Sequence, residues 1–475
     1  MPHLQGVSRD AVLLFPPTLD EYITADNPAR FVDAFVDSLD LQALGFQREL
    51  AATEGRPAYQ PGDLLKLYLY GYLNGVRSSR RLERETQRNV EVMWLLKKLT
   101  PDHKTIADFR KDNLAAMQQV CREFTRLCKE LELFGGELVA IDGSKFLAVN
   151  SRQRNYTPEK LRRALKEIDK KVTRYLAELD EQDAQEQTVT LVATDELRTK
   201  IARLRVRQEH YQSVQAQLEQ GGQPQLSLTD PDSRSMPAGQ GTVVGYNVQT
   251  AVDAKHKLIA AHEVTNAVTD QDQLAPMAQQ AKQALGVETL DATTDKGYYD
   301  GEQVQQCLAQ GVTPYIPKPH TSVNQQRGLY TKEDFTYDRQ RDLYRCPAGA
   351  LLDFRFESVE RGRATRYYAT PACRTCAVRA RCTQNKGGRR ITRWAGEHLL
   401  DDMAERVKAH PEIVAQRKAL SEHPFGTIKR AMGQGYFLMK GLLKVRAEMS
   451  LTVLAYNLKR VLNILGVPKL IAAVA

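Results

Sequence analysis

Three acidic residues that are far apart in the sequence could together support metal-dependent chemistry on a phosphodiester. Asp142 lies inside the apolar run 137–149, where a carboxylate costs several kcal/mol unless positive charge offsets it. Asp295 follows a second apolar run, and Glu422 lies in a late helical stretch. Attack on a phosphodiester needs charge neutralisation on the attacking and leaving oxygens, which two Mg²⁺ (or Mn²⁺) ions about 3.5–4 Å apart provide. We therefore expect Asp142, Asp295 and Glu422 to converge on one divalent-metal site.

Other interpretations of the acidic residues stay open at the level of sequence. Asp142 could instead be a strand-end carboxylate that caps a turn before Gly143. Nearby acids could also take the places of the second and third residues, or add an accessory ligand. These competitors are Asp291 for the second position, Asp253 as an accessory acid, and Glu405 and Glu412 for the third.

Four cysteines near the C-terminal end could hold a second, structural metal ion. They are Cys346, Cys373, Cys376 and Cys382. One C-x2-C pair with two flanking cysteines fits tetrahedral Zn²⁺, although the gap before the pair is longer than in common zinc ribbons. The alternative is a set of buried thiols without a metal. The remaining cysteines are expected in the core: Cys121, Cys128 and Cys307.

Positive charge is concentrated around these cysteines. Between residues 361 and 396 the sequence has ten basic residues and no acidic one. Such a field attracts phosphate backbones and releases their counterions, so Arg389, Arg390 and Arg393 are candidates for DNA contact. A solvated basic loop is the alternative. We expect 321–398 to be a long irregular insertion that bound Zn²⁺ would order against DNA.

The composition is that of a folded, soluble protein. Hydrophobic residues make up 42% of the 475 residues and charged residues 26%, which argues against a disordered chain. The length suggests roughly two to four domains, and the formal charge of +9 is too modest to establish a polyanionic partner. No apolar run approaches the roughly 20 residues needed to cross a bilayer, and the first residues lack a secretory signal. The sequence therefore predicts a cytoplasmic, nucleoid-associated protein with reduced cysteines and no membrane contact.

The elements that must position the three acids alternate between strand and helix. Buried-strand patterns occur at 137–149, 242–252, 257–265, 287–294 and 312–316, and helical patterns at 270–285 and 300–310. This order, with a long insertion after the first strand, is expected of a ribonuclease-H-like α/β core. Asp142 would lie on the first strand, Asp295 at the end of the fourth, and Glu422 on a helix over 399–432. The apolar tail 445–465 has helical spacing and should pack back on the core.

Two further regions are predicted to be helical. The insertion 157–219 has apolar residues at spacings of three and four, which predicts two long helices in an antiparallel hairpin. Helical patterns also fill about 27–130, after a Pro-rich arm. A basic helix start in this region, with Arg77, Arg80 and Arg81, is what a helix-turn-helix reader presents to DNA.

Five motifs of the chain resemble those of bacterial insertion-sequence DDE transposases. The catalytic blocks of that family are matched by AIDGSKF, TDKGYYD and EHPFGTIK, at 140–146, 294–300 and 422–429. Residues 228–234 and 245–253 resemble the second-strand region of the family, and 59–113 is similar to its helical end-binding domain. The motifs occur in the order of the family and together span nearly the whole chain.

This resemblance implies a divalent-metal-dependent DNA transposase. Asp142, Asp295 and Glu422 would bind the metal ions. An activated water would cut at the terminal inverted repeats, and the freed 3′-hydroxyl would attack target DNA. The partners would be double-stranded DNA and a second copy of the chain, with no nucleotide cofactor. Two other functions stay open: a ribonuclease-H-like nuclease without strand transfer, and a non-catalytic DNA-binding derivative.

The family signature around the glutamate, Y-x2-R-x3-E-x6-K, is only half present. Glu422 and Lys429 match its second part. Ala415 and Lys418 stand where the tyrosine and the arginine are expected, and Arg417 lies one residue early. We therefore expect Lys429 to contact a phosphate near the cleaved end, with assistance from Arg417 or Lys418.

The sequence predicts a division of the chain into four segments. They are a helical DNA-binding domain at 1–130, the first part of the catalytic core at 137–320, a basic Cys-rich insertion at 321–398, and a C-terminal helical part of the core at 399–475.

Overall fold

The computed structural model of the chain describes residues 10, 14, 17–47, 57–150, 152–184, 191–222, 224–239, 241–319, 323–360 and 362–475. Much of the predicted N-terminal arm, and Arg361 of the basic segment, lie outside these ranges.

The elements follow the chain from a helical N-terminal region into alternating strands and helices. The helices described before the first strand are α1 (Pro28–Asp37), α2 (Pro61–Leu73), α3 (Ser79–Arg88), α4 (Val90–Leu95), α5 (His103–Asp112) and α6 (Leu114–Glu130). The elements up to residue 315 are β1 (Leu138–Leu147), β2 (Asn155–Tyr156), α7 (Pro158–Ala184), α8 (Leu191–Gly221), β3 (Leu226–Ser227), β4 (Arg234–Ala238), β5 (Gly241–Asp253), β6 (Ile259–Thr265), α9 (Leu274–Leu285), β7 (Leu290–Thr293), α10 (Gly301–Ala309) and β8 (Val312–Tyr315). Those from residue 323 onward are α11 (Val323–Gln326), β9 (Thr336–Asp338), β10 (Leu343–Arg345), β11 (Leu351–Glu360), β12 (Arg363–Ala369), β13 (Arg390–Trp394), α12 (Glu397–Ala409), α13 (Pro411–Gly426), α14 (Leu442–Leu465) and α15 (Val467–Val474).

The central sheet runs in the order β6-β5-β1-β7-β8, with β4 beside the first half of β5. β5 is antiparallel to both β1 and β6, whereas β1, β7 and β8 are parallel. The five strands and two helices predicted for this region are all confirmed, with ends shifted by a few residues. The short strands β2, β3 and β4 were not predicted, because two to five residues are too few to show a period.

Each face of this sheet is covered by a hydrophobic core. On one face, Phe146 and Val248 belong to a core that also includes residues of α2, α6 and α14. On the other face, Val139 and Ile141 pack with residues of α9 and α10 and with Met403 of α12. The predicted packing of the C-terminal tail on the core is confirmed, and the N-terminal helices share that core with it.

The helical hairpin predicted over 157–219 is confirmed. α7 and α8 pack against each other around a small core that includes Leu161, Ile168 and Leu218. The short antiparallel pair β2–β3 closes the base of the hairpin. α7 begins at Pro158, and Thr157 Oγ1 just before it accepts from the N–H of Lys160 at 3.2 Å.

The expectation that 321–398 is irregular is wrong. β9 to β13 form an antiparallel sheet in the order β13-β12-β11-β10-β9. Leu352, Tyr344, Tyr368 and Ile391 give this sheet a core of its own. The segment therefore has a protein core of its own, so bound metal is not its sole source of order.

The single helix predicted over 399–432 is also wrong in detail. It is divided between α12 and α13 at His410, because Pro411 has no N–H to continue α12 and instead starts a new helix. After α13 the chain makes a π-helical turn, Thr427–Ala431.

In the part of the chain that the structure describes, no helix is both long and apolar enough to span a membrane.

Candidate active site

Two of the predicted metal ligands lie close together, Asp142 on β1 and Asp295 two residues past the end of the neighbouring parallel strand β7. In the pairing of β1 with β7, Ala140 lies opposite Thr293, the last residue of β7. Asp142 and Asp295 each lie two residues further along the chain than this last pair. The negative charge of Asp295 acts on the carboxylate of Asp142. The structure thus brings these two residues together.

Asp142 is surrounded by too little positive charge to offset its burial. Burial is the largest cause that raises its pKa, and the charge of Asp295 raises it further. The hydroxyl of Ser421 lowers the pKa, as does the guanidinium of Arg417, whose Nη1 lies 3.5 Å from Asp142 Oδ2. The backbone N–H of Gly143, which donates to Asp142 Oδ1 at 2.8 Å, acts in the same direction. The pKa of Asp142 is raised on balance, so its negative charge is not fully offset and a further cation nearby would stabilise the ionised carboxylate.

The third predicted ligand is positioned by α13. Arg417 and Ser421 are one turn apart on this helix and both act on Asp142, and Ser421 is completely buried. Glu422 comes directly after Ser421, but its side chain is 65% exposed and lies 4.0 Å from Lys418 Nζ. Among the described residues, no group of three or more His, Cys, Asp or Glu side chains is arranged to hold a metal ion. The structure therefore places Glu422 on the helix that contacts Asp142, but it does not bring the three acidic side chains together.

Lys429 also lies close enough to Asp142 for its pKa to be affected by the charge of that carboxylate. It is part of the π-helical turn after α13, a backbone irregularity that is frequent at functional sites. Its Nζ donates to Ser144 Oγ at 2.6 Å and to the carbonyl oxygen of Lys145 at 2.8 Å, and lies 4.6 Å from the ring centre of Phe146. Burial, together with the charge of Lys145, lowers the pKa of Lys429 to about 8, against the opposing effect of Asp142.

The competing acids have other surroundings. Asp253 is completely buried and accepts hydrogen bonds from the backbone N–H groups of Gly135, Gly136 and Lys255, so it holds a turn together. Asp291 pairs with Leu138 at the opposite end of β7 from Asp295. The other two acids are exposed and pair with nearby side chains, Glu405 with Lys408 and Glu412 with His410.

Two residues predicted to contact DNA are buried instead. Arg77 forms an ion pair with Glu448 at 3.4 Å, with the two side chains 5% and 0% exposed. Arg393 pairs with Asp401 at 2.5 Å and stacks on the ring of Tyr337 at 3.8 Å. These two arginines are structural, and the prediction for them is wrong because sequence alone does not show which face of an element is covered.

Other predicted DNA-contacting residues remain accessible. Arg80 and Arg81 are exposed on α3, and Arg390 is exposed on β13. Arg389 is half-buried, with its guanidinium 5.5 Å from the ring centre of Phe335. Lys418 is 73% exposed on α13. These side chains thus lie on α3 of the N-terminal helices, at β13 of the second sheet and on α13.

The four clustered cysteines line one cavity of the second sheet. Cys346, Cys373, Cys376 and Cys382 all border it, and none of them forms a disulfide. The pKa of the Cys382 thiol is raised, first by burial and then by the other three thiols, and Arg389 opposes the shift. The remaining cysteines are buried in the core, as predicted: Cys121, Cys128 and Cys307.

Sequence reasoning missed Ser421. Its signal is helical spacing, since it follows Arg417 by four residues and therefore shares a helix face with it. The spacing becomes informative only once the face that meets Asp142 is known.

Comparison with known proteins gives two matches to transposase domains. A family model described as a transposase domain (DUF772) matches residues 17–112, and one described as a transposase DDE domain matches residues 345–462. The second range contains Glu422 and Lys429, but neither Asp142 nor Asp295.

Among solved structures, a cryo-EM structure of a piggyBac transposase synaptic complex with hairpin DNA is similar over 92% of this chain and 75% of that chain. The sequence identity is 9% and the TM-score is 0.34, which is too low to carry an argument about this chain. None of the curated proteins matches the chain.

Both matching models describe transposase domains, one over the N-terminal helices and the other over the segment that contains Glu422. The family predicted from the sequence motifs is thereby confirmed. The chain thus carries a transposase domain and a transposase DDE domain, and it is similar to the DDE transposases of insertion sequences.

Proposed function

We propose that this transposase cuts DNA at the ends of its element and joins the cut end to target DNA, using Asp142, Asp295 and Glu422. The observation that carries the proposal is the partly buried carboxylate of Asp142, whose pKa is raised by burial and by the nearby charge of Asp295. Two like charges in one partly buried pocket are costly unless a cation joins them.

A ribonuclease-H-like core is the finer description of the fold that we infer. The strand order β6-β5-β1-β7-β8, in which the first three strands are antiparallel and the last three parallel, supports it. In this arrangement the first strand is central, so an acid on it is surrounded by strands and helices on several sides. Asp142 occupies that position.

The residues of the pocket fit a divalent cation. DDE transposases generally use a divalent metal ion, and the donors available at the pocket are carboxylate oxygens, which suit Mg²⁺ or Mn²⁺. Asp142 and Asp295 would hold the ion, and Glu422 would complete the set. Glu422 directly follows Ser421, which acts on Asp142, and we infer that a change of its side-chain rotamer would bring its carboxylate to the two aspartates. When bound, the metal would neutralise charge on the attacking and leaving oxygens.

The remaining side chains of the pocket would handle the DNA backbone. In the cutting step a water oxygen attacks phosphorus and the bond to the 3′-oxygen breaks, which leaves a 3′-hydroxyl. In the joining step that hydroxyl attacks a phosphodiester of the target and displaces a 3′-oxygen. Lys429 carries a positive charge beside the pocket below pH about 8 and would hold the phosphate in both steps. Arg417, now paired with Asp142, would be released when a cation takes its place.

Double-stranded DNA would lie across the exposed basic residues. α3 presents Arg80, Arg81, Arg84 and Arg88 to solvent. We infer that this helix contacts the terminal repeats and that Arg390 and Lys418 contact DNA nearer the cut. A second copy of the chain would bind the other end of the element.

The four cysteines would hold a structural Zn²⁺. Four thiols border one cavity and none of them is in a disulfide, and thiolates are the ligands that structural Zn²⁺ prefers. In the structure the four side chains are not arranged to hold an ion, so binding would require them to move closer together. Stoichiometric zinc in the purified protein, and loss of order around the cysteines in a chelator, are the expected results. A protein free of zinc with unchanged folding in the chelator would remove this part of the proposal.

The proposed chemistry is tested with DNA that carries the inverted repeats flanking the coding region. The wild-type protein should cut and join this DNA in Mg²⁺. Asp295→Asn should lower cutting by more than the roughly 10–100-fold typical of a supporting residue, because a metal ligand is lost. Asp291→Asn, on β7 four residues before Asp295, is the matched control and should keep wild-type activity.

The other outcomes are decisive as well. Cutting without joining would identify a nuclease and overturn the joining step. Full activity of Asp295→Asn would overturn the assignment of the site. Binding of the DNA without any cutting by the wild-type protein would identify a non-catalytic DNA-binding derivative.

A further inference from the structure

Sheet pairing does not hold Asp295 in place. β7 ends at Thr293, and its pairing with β1 ends there too. Asp295 caps the 3₁₀ turn Lys296–Tyr298, and its Oδ1 accepts from the N–H of Gly297 at 2.7 Å. The last backbone link to the sheet before Asp295 is the N–H of Thr294, which donates to the carbonyl oxygen of Tyr315 at 3.3 Å. Side chains that link the turn to the sheet therefore contribute to the distance between Asp142 and Asp295.

Tyr298, the last residue of that turn, makes such a link. Its side chain is completely buried, and its hydroxyl donates to Gln249 Oε1 at 2.5 Å. Gln249 lies on β5 directly opposite Gly143, the residue after Asp142 on β1. One side chain thus ties the turn behind Asp295 to the strand beside Asp142.

Asp270 fixes the other end of the Gln249 amide. Its Oδ1 accepts from Gln249 Nε2 at 2.7 Å and from Asn247 Nδ2 at 2.6 Å, and lies 3.4 Å from Lys145 Nζ. Gln249 and Asn247 are completely buried. Because the amide oxygen of Gln249 is bound to Tyr298 and its nitrogen to Asp270, the amide has a single orientation.

This chain of hydrogen bonds fits because residue 143 is a glycine. A Cβ at Gly143 would lie 2.4 Å from Gln249 Nε2 and 2.6 Å from Asp270 Oδ1. The N–H of the same glycine donates to Asp142 Oδ1. Successive side chains of a strand point to opposite faces, so the hydrogen bonds support Asp142 from the face opposite Ser421 and Arg417.

We propose that Tyr298, Gln249 and Asp270 are positioning residues that set the separation of Asp142 and Asp295. The inference rests on the proposed function of these two acids as metal ligands. Without the hydroxyl of Tyr298, the Gln249 amide oxygen would be buried with no donor, and the turn would lose its link to the sheet. Supporting residues of this kind contribute about 10- to 100-fold in metal affinity or activity.

Tyr298→Phe tests the proposal, with Tyr68→Phe as the matched control. Tyr68 is also completely buried, and its hydroxyl donates to the carbonyl oxygen of Ile106 at 2.7 Å, among the N-terminal helices. Each substitution removes one buried hydroxyl and keeps the ring. Two quantities are measured for both: the rise in melting temperature that Mn²⁺ causes in the DNA-free protein, and the Mg²⁺ concentration for half-maximal cutting.

Tyr298→Phe should need about tenfold or more metal ion for the same effect in both measurements, whereas Tyr68→Phe should match the wild type. If Tyr298→Phe does not fold, Asp270→Asn takes its place, because it keeps an acceptor atom and weakens the same link. Wild-type metal dependence in the folded variant would overturn the positioning role. A wild-type protein that neither responded to Mn²⁺ nor cut DNA would instead overturn the proposed function, so the two failures are distinguishable.

Discussion

At Asp142, strand β1 changes from a buried to a partly exposed stretch. Val139, Ala140 and Ile141 are completely buried, and the residues from Asp142 to Lys145 are half-buried. The strand thus carries a carboxylate to the edge of the core, where water is mostly excluded but a ligand can enter. An ionised carboxylate at this position is stabilised when a cation binds it. It lowers the stability of the folded chain when no cation is bound.

Asp142→Asn should therefore stabilise the metal-free protein. The pKa of Asp142 is raised in the folded chain, so its ionisation lowers stability as the pH rises from the ordinary value of 3.8 through the raised value. The neutral amide avoids this loss, and we expect the free energy of unfolding at pH 7 to increase by about 0.5–2 kcal/mol while cutting is lost. Urea denaturation at several pH values measures it. The increase should vanish at acidic pH, and a decrease at pH 7 would contradict the account.

Lys429 should give the reaction an alkaline limit. Its ammonium is charged below its pKa of about 8 and neutral above it, so its hold on a phosphate should weaken as the pH rises through that value. We expect kcat/KM for cutting to fall above pH about 8 in the wild type. Lys429→Arg should remove this fall, because a guanidinium stays protonated. The same alkaline fall in both proteins would show that another group causes it.

At the scale of residues, the sequence identified the side chains that carry the chemistry but not those that support them. Asp142 stands out because a carboxylate in an apolar strand is rare. Gln249 and Tyr298 do not stand out, since their importance comes from one hydrogen bond between segments 49 residues apart. No periodicity in the sequence reports such a contact.

At the scale of elements, the start of α3 shows that a basic stretch can serve two purposes. Arg77, before the helix, turns inward to Glu448 of α14 and to the carbonyl oxygen of Tyr436. Arg80 and Arg81 turn outward. The same stretch therefore ties the N-terminal helices to the C-terminal end of the chain and presents charge to solvent.

Arg77→Met and Arg80→Met should separate these purposes. Arg77→Met removes the ion-pair partner of Glu448, which keeps hydrogen bonds from the N–H groups of Leu438 and Met439, and we expect a loss of about 1–3 kcal/mol in the free energy of unfolding. Arg80→Met should change stability by less than about 0.5 kcal/mol and weaken binding to the terminal repeats. Urea denaturation and a DNA-binding assay provide the two measurements. Equal stability of the two variants would contradict the buried role of Arg77.

The elements of the central sheet were predictable because long apolar runs and amphipathic helices have clear periods. The second sheet was missed because its strands are short or exposed: Val359 is 72% exposed, and β9 and β10 have three residues each. The break between α12 and α13 could have been predicted from Pro411, because a proline usually ends a helix or starts a new one. The helical pattern continues on both sides of Pro411, so a single helix was predicted instead.

At the scale of the whole molecule, the two ends of the chain complete one core. α6 and α2 pack on α14, and α1 packs on α15, so the N-terminal helices bury their apolar faces against the last residues of the chain. The sequence showed that both regions were helical, but not that they meet, because contacts between distant segments leave no local pattern.

A fragment spanning residues 17–130 should therefore not fold alone. The apolar faces of α2 and α6 would be exposed without α14, and exposed patches of that kind lead to unfolding or aggregation. Circular dichroism during thermal denaturation tests this expectation, and the matched control is the same fragment mixed with a peptide of residues 442–475. A cooperative transition of the fragment alone would show that it is an independent domain.

The central claim is that Asp142 and Asp295 hold the same divalent ion, and a change of ligand type tests it most directly. Asp142→Cys and Asp295→Cys should each abolish cutting in Mg²⁺ and regain part of it in Mn²⁺ or Zn²⁺, because thiolates bind softer ions better than Mg²⁺. Asp291→Cys, the control on β7, should cut in Mg²⁺ as the wild type does. If both cysteine variants cut normally in Mg²⁺, the two carboxylates are not the metal ligands and the account of the site is wrong.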